Sequence, residues 1–453
     1  MTECSETLFP FEAHFSRQVV AQFEGSWLST EGGALLLRQA DRKMGLLRRL
    51  ARCFTDYRQP ERIEHGLEEM LAQRIYGLAL GYQDLNDHEQ LRQDPLLGVL
   101  AGKRDLGEPL AGKSTLNRLE LTPAGSPAAE RYNKIAYSPE AIDELLVALF
   151  LESYRKAPDS IVLDLDATDT PLHGKQEARF FHGYYNHYCY LPLYIFCGDQ
   201  LLCARLRPSN IDASAGSLEE VQRMVTQIRK AWPRTQIILR ADSGFCREEL
   251  MAWCEEHAVD YVLGFARNKR LRRKIAKEMR QAKKEQQRTG EPARVFTEFF
   301  YQTRKTWSRR RRVVAKAEQI PGKENPRYVV TSLPSSAWPT QELYEQLYCA
   351  RGEMENRIKE QLSLFSDRMS TEFLRSNQLR LYFSSLAYVL VEGLRRLGLA
   401  GTEWAKYQVQ TIRLRLLKIA AQVRITARKI WIRYSKAYPW KKVFVSAWAA
   451  LRC

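Results

Sequence analysis

The sequence predicts a mixed α/β protein with a strand-rich core, a mainly helical region before it and a basic region after it. Three observations lead to this prediction. Apolar residues recur at helical spacing in the first 130 residues, extended apolar runs dominate residues 161–265, and helical periodicity returns after residue 341. A chain of 453 residues that is 45% hydrophobic is long enough for two or three domains.

Residues 1–130 are predicted to form a helical N-terminal domain, which is a candidate for DNA binding. One apolar run passes through Leu36, Leu46, Leu47 and Leu50, and a second follows from residue 63 to residue 75. Residues 122–127 combine proline, glycine and serine, which predicts a linker. Ser138 before Pro139 then predicts the N-cap of a new helix.

The first part of the core, residues 131–270, alternates strands with helices. Strands are predicted at 161–168, 184–196, 201–206, 236–241 and 260–265, and helices at 218–232 and 248–257. The resulting order, β-β-β-α-β-α-β, is that of an RNase H-like fold, in which the first strand is central and the fourth lies beside it. Doubly wound folds are disfavoured because the three opening strands lack crossover helices.

The core is then interrupted. Residues 271–340 are predicted to form a basic helix and a β-rich insertion, because a run dense in Lys and Arg precedes the aromatic strand 295–301 and a second strand at 327–331. Residues 341–400 are helical and complete the core. Residues 401–453 form a basic C-terminal region, in which Glu403 is the single acidic residue.

Charge, cysteine usage and hydropathy narrow the functional class. Lys and Arg total 70 against 53 Asp and Glu, and a net charge of +17 favours a polyanionic partner. Nine cysteines without a C-x-x-C pair predict reduced thiols. The first residues lack signal-peptide character, and the apolar stretch near residues 386–391 is too short to cross a bilayer. The sequence therefore predicts a cytoplasmic protein without membrane contact.

Three acidic residues are the candidate catalytic and metal-binding residues. Asp166 and Asp242 each end an apolar strand, and Glu355 follows Tyr348 and Arg351 at helical spacing. If the strands are neighbours, the carboxylates gather at one site. Carboxylates without His or Cys suit Mg²⁺. Two such ions about 4 Å apart, with Mn²⁺ as a substitute, would support phosphoryl transfer on nucleic acid.

The first of these positions has an alternative. Asp164 shares a strand face with Asp166, so either side chain is a candidate ligand. Asp166 is preferred because it lies nearer the end of the strand. Glu353 and Glu360 are the competing acids on the predicted helix, and pairing with Lys359 is the structural alternative for Glu355.

These segments resemble those of a known family. The spacing Tyr348-x-x-Arg351-x-x-x-Glu355 resembles the Y-R-E-K signature of bacterial insertion-sequence DDE transposases. The segments around Asp166 and Asp242 are similar to the two aspartate blocks of the same family, and the resemblance covers nearly the whole chain. The signature lysine falls on Leu362 here, and Lys359 lies one helical turn earlier.

The resemblance implies Mg²⁺-dependent cleavage at transposon ends and transfer of the freed 3′-OH to target DNA. It also implies a homodimer in a synaptic complex, in a bacterial cytoplasm and on the nucleoid when bound to DNA. Tyr348 and Arg351 would contact phosphates. Two alternatives remain: a defective or domesticated relative that only binds DNA, and an RNase H-like nuclease without strand transfer.

Further residues are candidates for DNA contact. Lys359 and the cluster of Trp307, Arg309, Arg310, Arg311 and Arg312 combine positive charge with an aromatic ring. The resemblance implies that Trp307 or Trp338 could hold a flipped base. Residues 107–114 match the P-loop pattern, but no apolar strand precedes them and Pro109 removes a backbone donor. No nucleotide cofactor is therefore expected.

Overall fold

The computed structural model describes residues 9–22, 27–121 and 131–452, and the predicted linker at 122–127 lies outside them. The chain divides into two compact units. The first comprises Met1–Leu47, Pro60–Asn117 and Gly393–Cys453, and the second comprises Arg48–Gln59 and Arg118–Glu392. The first unit thus combines residues from the predicted helical N-terminal domain with residues from the predicted basic C-terminal region.

The second unit contains a mixed sheet that has nine strands in the described part of the chain. In spatial order, eight of them are Gln200–Arg205, Leu193–Cys197, Ser160–Ala167, Gln236–Ala241, Asp260–Phe265, Arg327–Thr331, Arg311–Ile320 and Ala293–Tyr301. The short strand Lys323–Glu324 pairs with Arg311–Ile320. The strand at 160–167 is central, with the strand at 236–241 parallel to it.

The central strands are apolar along their length because both faces of the sheet are covered. One face, with Leu163, Leu165 and Leu239, packs in the core formed with the helices Pro139–Glu152, Ser217–Ala231 and Glu248–Glu256. The opposite face includes Ile238 and Val262 and packs against the segment around Leu343–Leu347. The predicted strands and helices of residues 217–265 are confirmed within a few residues of their expected ends.

The predicted strand at 184–196 is wrong in its extent. The structure has a hairpin of Phe180–His182 and His187–Tyr190, and only then the sheet strand Leu193–Cys197. Asn186 has a left-handed φ of 59°, which reverses the chain within the hairpin. Pro192 lacks a backbone donor and separates the hairpin from the sheet strand.

The strands of the predicted insertion extend the central sheet. Arg327–Thr331 pairs antiparallel with Asp260–Phe265, and two further strands continue from its other edge. Two helices, Lys269–Lys274 and Ala276–Thr289, form the basic stretch that precedes these strands. The predicted strands at 295–301 and 327–331 are confirmed, and they belong to the sheet that carries the aspartates.

The segment predicted as one helix carrying Tyr348, Arg351 and Glu355 consists of three consecutive helix types. Leu343–Tyr348 is a π-helix, Cys349–Arg351 is a 3₁₀ turn, and Gly352–Ser363 is an α-helix. Such local changes of winding are frequent at functional sites. The helix Leu374–Gly398 follows, within the predicted helical residues 341–400.

In its described residues, the first unit is helical with two small sheets. Its elements include the helices Leu35–Met44, Leu67–Leu80, Pro95–Ala101 and Lys441–Arg452, the hairpin Phe9–His14 with Arg17–Ala21, and the three-stranded sheet of Leu28–Ser29, Ala421–Ile425 and Ile430–Tyr434. The helices Leu46–Ala51, Lys113–Glu120 and Leu374–Gly398 cross the limits of the units. Within the described residues, no helix is both long and apolar enough to span a membrane.

Candidate active site

The register of the central strands brings Asp166 and Asp242 to the same edge of the sheet. Leu165 lies opposite Ala241 in the parallel pair, so the next residues of the two strands are the two aspartates. Asp166 Oδ1 accepts a hydrogen bond of 2.9 Å from the amide of Ala167. Asp242 Oδ1 accepts one of 2.8 Å from the amide of Gly244, which orients the carboxylate at the start of a 3₁₀ turn.

Arg351 connects the first aspartate with the glutamate. Its Nη1 lies 3.1 Å from Asp166 Oδ2, and its Nη2 lies 3.4 Å from Glu355 Oε1. Arg351 and Glu355 are four residues apart, so their side chains project from the same face of the segment. The Glu355 side chain is 53% exposed, while the side chains of Asp166 and Arg351 are largely buried.

These side chains line one cavity of about 540 Å³. Lys359 and Leu362, which lie on the same helix as Glu355, contribute to its wall. Its remaining polar and aromatic lining includes His182, Tyr184 and Tyr185. The structure thus brings together the three predicted acids, Arg351 and Lys359, along with residues of the hairpin.

The cavity carries more negative than positive charge near Asp166. Burial raises the pKa of Asp166 to about 6; the charge of Arg351 opposes this shift, and Asp242 adds to it. Burial also disfavours the charged form of Arg351, but Asp166 and its other anionic neighbours outweigh that effect and raise the arginine's pKa. One guanidinium is therefore shared among three carboxyl groups, which leaves room for further cationic charge.

The chemistry of the donors fits a hard divalent cation, because carboxylate oxygens are the ligands that Mg²⁺ prefers. Among residues 9–22, 27–121 and 131–452, no three or more His, Cys, Asp or Glu side chains are grouped closely enough to hold a metal ion. The guanidinium of Arg351 bonds both Asp166 and Glu355. A metal cation that binds Asp166 and Glu355 must displace their contacts with Arg351.

Asp164, the alternative to Asp166, forms a buried ion pair. Its Oδ2 accepts a hydrogen bond of 2.7 Å from Arg240 Nη2, and Arg240 Nε binds the other oxygen. Only 3% of Asp164 and 6% of Arg240 are exposed. Arg240 also donates to the carbonyl of Leu347. Asp164 is therefore engaged in a buried ion pair, and Asp166 rather than Asp164 lines the cavity.

The structure places three of the predicted DNA-binding residues in the interior. Trp307 is only 7% exposed, and its ring packs 4.9 Å from that of Phe265. Arg311 is held between Glu248 and Glu255. Arg312 binds Glu298 and the carbonyls of Leu333 and Trp338. These three side chains are buried in the protein, and their contact with DNA stays a prediction.

The other members of that cluster differ. Arg309 and Arg310 are exposed, and Arg309 Nε lies 3.2 Å from Glu255. Both arginines stay candidates for DNA contact.

Tyr348 lines a second cavity, which has a volume of about 390 Å³ and basic walls. Arg267, Lys323 and Arg327 contribute to this cavity, as does Ser243, the residue after Asp242. The hydroxyl of Tyr348 lies against Gly264, where an added Cβ would come within 2.6 Å of it. The sequence did not single out these three basic residues, because they are dispersed along the chain and only the pairing of strands 260–265 and 327–331 brings them together.

Comparison with known proteins identifies the family. The family described as "Transposase DDE domain group 1" matches residues 11–453. No curated protein matches the chain by sequence. Among solved structures, the chain is similar to the piggyBac transposase synaptic complex with hairpin DNA, studied by cryo-EM, at 10% identity and a TM-score of 0.39 over 85% of this chain and 79% of that one. Since the family match covers nearly its whole length, the chain belongs to the DDE transposase domain family, group 1.

Proposed function

We propose that the protein is an insertion-sequence transposase that cleaves DNA at the ends of its element and joins the freed 3′-OH to target DNA. One observation carries the proposal: Asp166, Asp242 and Glu355 line a single cavity. The strands that bear the two aspartates are far apart in sequence, because their paired residues Asp164 and Arg240 are 76 positions apart. The order of the sheet strands supports an RNase H-like core, because the first strand lies between the second and the fourth.

Asp166, Asp242 and Glu355 are the residues that would hold two Mg²⁺ ions, with Mn²⁺ as a substitute. Such ions activate the attacking hydroxyl and stabilise the leaving oxygen. Arg351 must release Asp166 for this purpose, and its guanidinium is then free to bind a phosphate oxygen in the bidentate manner that arginine favours. Arg351 would thereby exchange a carboxylate partner for the DNA backbone.

Lys359 is the candidate for the role of the signature lysine. It lines the active-site cavity, and so does Leu362, which stands at the expected position. A lysine one turn earlier on the same helix reaches the same space. Lys359 would position a phosphate through its charge, without the two-pronged geometry of an arginine.

The basic cavity beside Tyr348 offers a path for the DNA backbone away from the cleaved bond. Arg267, Lys323 and Arg327 supply positive charge next to Ser243, immediately after Asp242. Contacts of this kind fix the position of a duplex without reading its sequence. Recognition of transposon ends is assigned to the helical N-terminal residues, and synapsis of two ends to a homodimer.

The test is cleavage of DNA that carries the element's own ends, with Mg²⁺ or Mn²⁺, followed by detection of joined target DNA. Asp242→Asn and Glu355→Gln should both abolish cleavage. Glu353→Gln is the matched control, because Glu353 is an exposed acid on the same helix that does not line the cavity. Wild-type activity in the control and none in the other two variants is the expected result.

Two other results would favour the alternatives. Binding to the ends without cleavage by the wild type would indicate a relative that has lost its chemistry. Cleavage without any joined product, irrespective of the end sequence, would indicate a nuclease.

A further inference from the structure

A two-stranded ribbon in the first unit carries basic side chains that the proposed chemistry does not use. Its strands, Ala421–Ile425 and Ile430–Tyr434, pair antiparallel. The third strand of this sheet, Leu28–Ser29, pairs with the first two residues of the ribbon. Among the described residues, the remainder of the ribbon has two strands and extends beyond the third. We call residues 421–434 the basic ribbon.

The two faces of the basic ribbon differ, because neighbouring residues of a strand point to opposite sides. Ile432 is on the inner face, where it lines a cavity of about 460 Å³ together with apolar residues of the helices Leu35–Met44 and Lys441–Arg452. The outer face carries Arg424 and Arg433, and both side chains are exposed. The ribbon therefore packs with one face and presents the other to solvent.

The outer face and the turn concentrate positive charge without acidic neighbours. Trp431 pairs with Arg424 across the strands and is 48% exposed, and Nζ of Lys429 lies 5.4 Å from the centroid of the Trp431 ring. Arg428 in the turn is also exposed. Residues 404–453 contain no Asp or Glu, and within the described part of the chain no ion pair neutralises these cations. Such a concentration of like charge favours a polyanionic ligand.

The basic ribbon is held at its base. The hydroxyl of Tyr434 donates to the carbonyl of Gly32 at 3.0 Å, and the Tyr434 ring lies 5.2 Å from that of Phe444. The amide of Val423 donates to the carbonyl of Trp27 at 2.8 Å. The first unit thus presents the cations on a preformed support, which reduces the conformational entropy that binding must remove.

We propose that the basic ribbon binds in the major groove of transposon-end DNA, as a contact separate from the active-site cavity. The major groove admits a two-stranded β-ribbon and displays a distinct pattern of base edges. Arg424 and Arg433, on the outer face, would face these edges, where arginine binds guanine with two hydrogen bonds. Arg428 and Lys429, at the turn, would contact phosphates.

DNA suits this surface better than a second copy of the chain does. The chain has a net charge of +17, so two copies of a basic surface repel each other, whereas DNA offers the complementary charge. The inference rests on the proposed function for the identity of the DNA. It adds a C-terminal surface to the helical N-terminal residues that are assigned to end recognition.

The test is binding of two fluorescein-labelled duplexes, one with the element's end and one with a scrambled sequence, measured by anisotropy at several salt concentrations. Asp242→Asn is the parent and Ca²⁺ replaces Mg²⁺, so that the DNA is not cleaved. Arg424→Ala with Arg433→Ala should weaken binding to the end by roughly tenfold or more and should affect the scrambled duplex less. Arg428→Ala with Lys429→Ala should weaken binding to both duplexes and lower the slope of log K against log salt by about two.

The matched control is Arg155→Ala with Arg234→Ala. These arginines are also exposed, and they precede the strands Ser160–Ala167 and Gln236–Ala241, at the edge of the sheet away from the acids. The control removes the same charge as each ribbon variant, and it should change neither the preference for the end nor the salt slope. Equal melting temperatures show that all the variants are folded.

Footprinting with dimethyl sulfate identifies the groove. This reagent methylates guanine N7, which lies in the major groove, and adenine N3, which lies in the minor groove. The parent and the control should protect guanine N7 atoms within the end. The Arg424→Ala, Arg433→Ala variant should lose part of that protection.

Three results would overturn the proposal. The first is an equal effect of the ribbon variants and the control, since only net charge would then matter. The second is protection confined to adenine N3. The third is unchanged affinity of the ribbon variants together with a lower molar mass in light scattering, since the ribbon would then join two copies of the chain. Failure of the proposed function is a separate result, in which the wild type does not cleave its ends; a footprint that depends on Arg424 and Arg433 would still support the basic ribbon.

Discussion

The replacement of Asp166 by asparagine should stabilise the folded protein in the absence of metal. Asp166 is buried beside Asp242, and these surroundings raise its pKa to about 6. An aspartate in an unfolded chain has a pKa of about 3.9. The folded state therefore binds the proton more tightly than the unfolded state does, and ionisation of Asp166 at neutral pH lowers the free energy of unfolding.

The size of the effect follows from the two pKa values. They differ by about two pH units, and each unit corresponds to about 1.4 kcal/mol, which gives about 3 kcal/mol as an upper limit. Arg351 loses one partner in the variant but keeps Glu355, with Nη2 3.4 Å from Oε1. Because that loss offsets part of the gain, we expect Asp166→Asn to be more stable by about 1–2 kcal/mol at pH 7.5.

The direction of the pKa shift also determines how the free energy of unfolding depends on pH. A raised pKa means that the stability contributed by the protonated carboxyl is fully present below pH ~4 and is lost as the pH rises through ~6. The advantage of the variant should therefore be largest above pH 6 and should disappear near pH 4. Urea unfolding in EDTA, followed at several pH values, measures both the size and the trend.

Asp164→Asn is the matched comparison, because Asp164 lies on the same strand and the same face. Burial also raises the pKa of Asp164, so loss of its charge has a stabilising part. That part is outweighed because the substitution leaves the buried Arg240 without its counter-charge, which typically costs about 3–5 kcal/mol. The two substitutions should thus change stability in opposite directions. If Asp166→Asn were less stable than the wild type, or if its advantage did not vary between pH 4 and 8, the electrostatic account of the cavity would be refuted.

Three further predictions concern metal, DNA and packing. Mg²⁺ should raise the melting temperature of the wild type, because a ligand of the folded state stabilises it, and Asp242→Asn should lose that response; equal responses in calorimetry would contradict the metal site. Arg327→Ala should weaken binding to all duplexes alike and lower the slope of log K against log salt by about one, as measured by anisotropy between 50 and 200 mM salt; an unchanged slope would remove the basic cavity from the DNA path. Gly264→Ala should destabilise the fold by roughly 1–3 kcal/mol, since the new methyl group would lie 2.6 Å from the Tyr348 hydroxyl and 2.8 Å from the backbone nitrogen of Ser243. Tyr348→Phe should restore only the part of the loss that the hydroxyl causes; complete rescue in urea unfolding would contradict the backbone clash.

Much of the core was predictable because its signals are local. A strand buried on both faces needs a continuous apolar run, and the runs before Asp166 and Asp242 have that character. The hairpin at 180–190 was not predicted, because its alternating aromatic residues also fit the end of a longer strand. Only the turn at Asn186 and the break at Pro192 divide it.

Basic clusters show the limit of sequence reasoning about contacts. Arg309, Arg310, Arg311 and Arg312 are consecutive and chemically identical. Two of them are exposed, whereas Arg311 and Arg312 are buried in ion pairs with acids of other elements. A run of arginines predicts positive charge but does not reveal which members are neutralised by distant carboxylates.

The sequence by itself determined the kinds of elements and the acids that end them. It left Asp164 and Asp166 equivalent, because two residues on one strand face have the same local surroundings. The tertiary structure separated them through the register of a strand 76 residues away, which sets Arg240 opposite Asp164 and Asp242 next to Asp166. Asp164 is thereby paired with Arg240 in the interior, while Asp166 lines the cavity beside Arg351. That difference depends on pairing between distant strands, and it cannot be inferred from the local sequence.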